Sequence, residues 1–429
     1  METEKKLLDE ATRGKKGKKG LSIGGKQKKK GTASAITALS DQVASKEDHN
    51  SGTGTNTENK VNGKIDEEDE KDKAILELEQ EVDDGWESGE LFCILAIQYD
   101  LIPNKDLNID NIEKARKKPI IDPYVNACRV LGIVPVSFFV EKVKQGDREI
   151  ILKHRGLGPK GAQAIAAVLE TNTSITHLDL SDNWIEQGGA TLGRSLQINR
   201  ALVNLDLSNN KLSLQSGAEI AEMLAFNGTL KTLNLKGNSF GDKEATLLAE
   251  GLKQNSSLEA IDLSYNHIGD LGANALGAGL IANDSLRELN MAWNEIRVRG
   301  ATGFLNYLKD NSHITLLNLQ DNGIGESGQP VSLFLAKSNS INILNVSRTR
   351  MNDASMILVA KGVEQNYSIK ELDVSENPVG DLGMLALFKS ILSSNCIKRV
   401  ILKHIKITKE ARVKLEELKN EKPEVEIVE

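Results

Sequence analysis

Cysteine is scarce in this chain. There are three in 429 residues, Cys93, Cys128 and Cys396, and none forms a CxxC pair. That excludes a disulfide-stapled scaffold and a four-cysteine zinc site. Aromatic residues make up only 4%, so a core has to come from Leu, Ile and Ala within the 39% of hydrophobic residues. No apolar run reaches about 18 residues, the length a membrane-spanning helix needs. The first residues are charged and carry no apolar segment of secretory type, so the expected setting is the cytoplasm. Catalytic motifs are missing too: there is no HExxH, no GK[ST] phosphate loop and no nucleophile beside a base. The six histidines (His49, His154, His177, His267, His313 and His404) are scattered. Neither a metal centre nor a cofactor is expected, and the chain reads as non-enzymatic.

The net charge of -7 hides two opposite blocks. Residues 1–31 hold eleven Lys or Arg against four acids, whereas residues 66–90 hold thirteen acids against Lys71 and Lys73. Neither block can bury enough apolar surface to offset backbone ordering, so 1–73 is expected to be a disordered, basic-then-acidic tail. The basic run is a candidate nuclear address. No aromatic residue lies among its lysines, so any nucleic-acid contact would be limited to phosphates and sensitive to salt. Residues 74–149 read as a helical lead-in, with Asp122 and Pro123 placed to start a helix. Cys93 and Cys128 sit on apolar faces there and read as buried, inert thiols.

From 150 to 429 one unit repeats. HLDLSDN, NLDLSNN, TLNLKGN, AIDLSYN, ELNMAWN, LLNLQDN, ILNVSRT and ELDVSEN begin their apolar alternation at Leu178, Leu205, Leu233, Ile261, Leu289, Leu317, Leu344 and Leu372. The spacings are 27, 28, 28, 28, 28, 27 and 28 residues, and degraded copies at Ile150 and Val400 bring the count to ten units. This is the leucine-rich-repeat pattern. Its alternation makes a short strand, and the stretch after each turn has the 3.6-residue periodicity of a helix. One unit cannot bury its own apolar edge, but stacked units make a continuous core. The expected fold is an α/β horseshoe solenoid resembling ribonuclease inhibitor, with parallel strands on the concave face and helices on the convex face. Asn183, Asn210, Asn238, Asn266, Asn294, Asn322 and Asn377 form an expected buried ladder after the strands. A second Asn series closes the helices at 172, 199, 227, 255, 283, 311, 339 and 366. Thr349 interrupts the first ladder, and its Gly-free loop RTRMNDASM predicts an irregularity there. GLGPKG at 156–161 matches GxGxxG, yet similar loops return as IGDLGA and VGDLGM, so these glycines serve strand-to-helix turns.

Two surfaces are candidates for function. Asp179, Asp206, Asp262 and Asp373 line the outward strand column with Asn, an acidic wall suited to a protein partner of basic or mixed charge. Where strands turn into loops, Tyr265 and Trp293 hold equivalent positions, followed by His267 and Glu295. Arg297 and Arg299 come next, and Arg348 and Arg350 flank Thr349. Aromatics beside arginines are the usual material of interface hot spots.

DPYVNACRVLGIVPVSFFVEKV, followed by LKHRGLGPKGAQAIA and the repeats, resembles the animal leucine-rich-repeat-containing proteins numbered seventy-four. That resemblance implies the fold and brings no activity with it. The expected function is a non-catalytic, monomeric scaffold for a protein partner. A GTPase-activating role, with Arg348 or Arg350 acting in trans, is an alternative by analogy with the Ran activator, which is built on similar repeats.

Overall fold

A computed structural model describes residues 122–326 and 328–429. The expected tail over 1–73, the first part of the lead-in and Cys93 lie outside the described residues. Among the described residues two helices come first, α1 (Asp122–Val130) and α2 (Ser137–Gln145). Tyr124 of α1 meets Phe139 of α2 edge-on at 4.7 Å, and its hydroxyl accepts from the Val136 backbone N–H at 3.1 Å. Burial pushes the Tyr124 phenol up to about 12 and also raises the Cys128 thiol, which favours the unreactive, protonated forms. Tyr124, Cys128, Phe139 and Val143 join the same buried cluster as Ile150 and Leu152 of the first repeat, so the lead-in caps that end of the core.

The repeats then alternate strand and helix: β1 (Glu149–Ile151), α3 (Gly158–Leu169), β2 (His177–Asp179), α4 (Gly188–Ile198), β3 (Asn204–Asp206), α5 (Leu214–Phe226), β4 (Thr232–Asn234), α6 (Asp242–Gln254), β5 (Ala260–Asp262), α7 (Asp270–Leu280), β6 (Glu288–Asn290), α8 (Val298–Leu308), β7 (Leu316–Asn318), α9 (Gly328–Lys337), β8 (Ile343–Asn345), α10 (Asp353–Gln365), β9 (Glu371–Asp373), α11 (Asp381–Ser393), β10 (Arg399–Ile401), α12 (Lys409–Glu421) and β11 (Glu426–Val428). All eleven strands pair in parallel and in sequence order. Ile150 lies opposite Leu178, Leu178 opposite Leu205, and so on to Val400 opposite Ile427. The chain is an α/β leucine-rich-repeat solenoid. Each strand from β1 to β10 buries its central apolar residue, and Ile427 of β11 is partly buried against the same core. The strand β11 goes beyond the ten units counted from the sequence. Ile427 is 27 residues after Val400, but neither a leucine pair nor an Asn marks it.

The ladder asparagines bind unit to unit. The Asn238 amide donates to Leu207 O at 3.0 Å in the preceding unit and to Leu235 O at 2.9 Å in its own. Its side-chain oxygen accepts from the backbone N–H of Asn210 at 3.0 Å and of Leu212 at 3.3 Å. Asn183, Asn210, Asn266, Asn294, Asn322 and Asn377 are buried likewise, and each amide reaches back 30 or 31 residues to a carbonyl. Thr349 is fully buried in the same position. Its hydroxyl donates to Val346 O at 2.7 Å, so it closes its own turn without crossing to the previous unit.

The loop after Thr349 is regular. Asn352 caps α10 by accepting from the Ser355 N–H at 3.0 Å, which replaces the expected glycine. The irregularity lies one unit earlier, where α9 has only ten residues and the strand spacing drops to 27. The same missing residue shifts the helix-end ladder. Asn339 is exposed, and Ser338 takes the buried position and accepts through its carbonyl from the Asn366 amide at 3.0 Å. Five Asn-X-Ser/Thr sequons, at Asn172, Asn227, Asn255, Asn283 and Asn366, belong to this buried ladder. Their side chains are committed to backbone groups rather than exposed.

Helix starts are also linked between units. Gly269 and Gly380, which precede α7 and α11, have no side chain to cap with. Asp242 of α6 accepts instead from the N–H groups of Gly269 and Gly272, and Asp353 of α10 accepts from those of Gly380 and Gly383, at 2.7–2.8 Å. A carboxylate is favoured there by the exposed N–H groups and by the helix dipole.

Candidate functional site

The residue before each ladder position adopts the left-handed region. His154, Asp182, Asn209, Tyr265, Trp293, Asp321, Arg348, Glu376 and His404 all have φ between 54° and 58°, and Gly237 has 67°. Backbone bonds to the next unit pin this turn: Tyr265 N–H donates to Ala292 O at 3.0 Å and Trp293 N–H to Gln320 O at 2.8 Å. One side chain per unit therefore projects from the rim in a row. Gly, Asn and Asp take this conformation at least cost, and it costs other L-residues roughly 1–2 kcal/mol. Tyr265 and Trp293 are bulky exceptions.

The two rings stack, with centroids 5.0 Å apart and planes within 12°. They remain 48% and 38% exposed. Lys236 Nζ lies 4.5 Å from the Tyr265 centroid, and Arg348 Cζ lies 5.2 Å from that of Trp293. Cations thus cover the two outer faces of the stack. Arg348 is itself anchored, with Nε 2.6 Å from Asp321 and Nη1 2.9 Å from Glu376. Asp321 foremost, and Glu376 after it, hold the guanidinium pKa above its usual value. Beside this row, His267 Nδ1 meets Glu295 at 2.8 Å. Arg297 is the N-cap residue of α8 and uses its backbone N–H to reach Asp270 at 2.8 Å. Arg297, Arg299 and Arg350 are exposed.

The structure therefore brings Tyr265, Trp293 and Arg348 into one row and places the His267–Glu295 pair alongside. Arg297 and Arg299 open the following helix, and Arg350 lies beyond the buried Thr349. The sequence reading missed Lys236, Asp321 and Glu376 as members of the cluster. Asp321 and Glu376 share the repeat position of Tyr265, so aligning the units was the available signal. Trp184 stands apart, with Lys211 Nζ 4.6 Å over its ring.

The strand-end acids have a local task. Asp179, Asp206, Asp262 and Asp373 are half-buried, and each accepts through Oδ1 from the N–H two residues on, at 2.7–2.9 Å. The amide of Asn234 occupies the second oxygen of Asp206, and that of Asn290 occupies the second oxygen of Asp262. Among the described residues no group of three metal-ligating side chains converges, and no helix is long and apolar enough to cross a membrane.

The family described as Leucine Rich repeat matches residues 171–192, 226–249, 254–277, 282–305, 310–328 and 365–388. Leucine-rich repeat-containing protein 74B of Mus musculus is 44% identical over 52 residues, 12% of this chain and 13% of that protein. Its Homo sapiens counterpart is 46% identical over 50 residues, 11% and 12% of the two chains. The match spans about an eighth of the length of these curated relatives. Among solved structures, leiomodin-1 actin-binding site 2 is 14% identical, with 48% of this chain and 88% of that chain covered and a TM-score of 0.28. A TLR13–ssRNA13 complex is 18% identical, with 56% and 31% covered and a TM-score of 0.37. The repeats identify the chain as a leucine-rich-repeat protein, and over about an eighth of their length the curated relatives make it similar to leucine-rich repeat-containing protein 74B.

Proposed function

We propose that the chain is a non-catalytic interaction scaffold whose protein partner docks on the rim around Tyr265 and Trp293. One observation carries this reading: two large, half-exposed aromatics occupy left-handed positions that the fold fills more easily with Asn, Asp or Gly. The backbone turn does not require them, so their value lies outside the turn. Stacked rings flanked by cations also form a rigid surface that loses little freedom on binding. His267, Glu295, Arg297, Arg299 and Arg350 would border the contact. Asp179, Asp206, Asp262 and Asp373 would lie on the strand side of it. The scaffold is proposed to act as a monomer in the cytoplasm, with the basic run at 5–30 as an address.

The test is affinity capture from animal cell lysate with the full chain and with its Tyr265→Asn, Trp293→Asn double variant. Asn keeps the left-handed turn, so a partner lost from the variant reports on the rings themselves. Equal capture by both would remove the rim from the function. Arg348, already held by two carboxylates, is poorly placed to serve a GTPase in trans. Unchanged GTP hydrolysis by small GTPases in the presence of the chain is the outcome expected of a scaffold.

A further inference from the structure

We infer that the Lys236–Tyr265–Trp293 ridge takes an acidic peptide segment of the partner. This rests on the scaffold reading above and gives the partner the opposite charge to the one the Asp column suggests. The strand-end carboxylates are already engaged. Both oxygens of Asp262, the strand-end acid of the Tyr265 unit, accept hydrogen bonds that shape the strand end. A basic partner would have to compete with those bonds.

The open groups on the rim are donors. Among the described residues, Tyr265 Oη and Trp293 Nε1 make no hydrogen bond, and Lys236, Arg297, Arg299 and Arg350 make no ion pair. The carboxylates in the same strip are paired, Glu295 with His267 and both Asp321 and Glu376 with Arg348. Of the acids without an ion pair, Asp270 accepts from the Arg297 backbone N–H at 2.8 Å, Glu288 begins β6 at the opposite end of the strand from the rim, and Glu326 precedes α9.

The geometry of the stack points the same way. Lys236 and Arg348 cover its outer faces, so an incoming group meets ring edges. Ring edges carry the positive end of the aromatic quadrupole, and here they also carry an O–H and an indole N–H. A carboxylate accepts from such donors in strong, charge-assisted bonds. A nucleobase needs a bare aromatic face for stacking, and the two outer faces are covered while the inner ones meet each other at 5.0 Å. The geometry therefore favours a carboxylate-bearing peptide over a nucleic acid.

The experiment measures fluorescence anisotropy of three labelled probes with the full chain: a short peptide of alternating Glu and Leu, its Lys and Leu twin, and a single-stranded RNA of similar length. Variants are Trp293→Asn, Lys236→Ala and, as a distant control, Trp184→Asn. Binding of the Glu peptide to the basic run at 5–30 is the same in every variant, so the rim is read from the difference. The expected result is Glu-peptide binding weakened about tenfold by Trp293→Asn and by Lys236→Ala, and unmoved by Trp184→Asn. Glu-peptide affinity equal across all variants overturns the inference. If the Lys peptide alone responds to Trp293→Asn, the acidic partner falls and the scaffold reading stands. A rim-dependent response of the RNA alone replaces the peptide with a nucleic acid. If no probe responds and lysate capture is also independent of the rings, both readings fall.

Discussion

Two strips of this molecule lie one residue apart in every unit and behave in opposite ways. The ladder position holds Asn in seven units, always buried and always bonded across the unit boundary. The position before it repeats its backbone as faithfully, with φ near 55°, yet carries His, Asp, Asn, Gly, Tyr, Trp, Arg and Glu. The ladder side chain solves a problem that every unit shares, namely the satisfaction of buried backbone groups at the turn. The rim side chain solves none, so its identity is free to serve something outside the fold. Sameness marks the fold, and departure from the easy left-handed residues marks the surface with a further task.

The comparison breaks if ladder and rim substitutions cost alike. The largest effect is expected at the ladder. Asn238→Ala leaves buried carbonyl and N–H groups unpaired on both sides of a unit boundary, a loss of roughly 2–4 kcal/mol in urea unfolding. A loss under about 1 kcal/mol would mean that water or backbone adjustment replaces the amide.

Next comes the buried phenol of the lead-in. Tyr124 has a folded pKa of about 12 against an ordinary 10.0, so its neutral form is the one the fold favours. Its contribution is complete below about pH 10 and declines as the pH rises from there toward 12, because the unfolded chain loses the proton first. Stability should fall by on the order of 1.4 kcal/mol per pH unit in that window from this group alone. Tyr124→Phe should flatten part of that slope, and an unchanged slope would assign it to other groups.

Smaller again is the helix cap given by a neighbouring unit. Asp242→Ala should cost about 1 kcal/mol and raise amide exchange at Gly269 and Gly272. Exchange unchanged at those two amides would show that α7 caps itself.

The smallest stability change is expected on the rim. Trp293→Asn gives up a ring pair worth roughly 0.5–1.5 kcal/mol and relieves a left-handed cost of similar size. The net should lie within about 1 kcal/mol of zero.

The fold was legible in the sequence because every unit repeats the same solution. LxL, Asn and the 28-residue period fixed strand, turn and stacking together. Two of the errors share one physical origin: a short element shifts phase. With α9 reduced to ten residues, Asn339 lost its ladder place to Ser338, and the irregularity moved one unit ahead of Thr349. The strand β11 escaped notice because Ile427 lacks the leucine and Asn that announce the others. At the site, Tyr265, Trp293 and Arg348 came from counting repeat positions. Asp321 and Glu376 hold the same repeat position and the same counting reaches them, whereas Lys236 lies one residue before it, and its place over the Tyr265 ring depends on three dimensions. The carboxylates of the Asp column looked free in the sequence, where an N–H two residues on leaves no mark.

The most direct test is a paired measurement on the Tyr265→Asn, Trp293→Asn double variant: its urea unfolding midpoint beside its capture of partners from lysate. The account predicts a midpoint close to that of the parent chain and the loss of a bound protein. A clearly lowered midpoint with every partner retained would contradict it, and would make the stacked rings part of the fold.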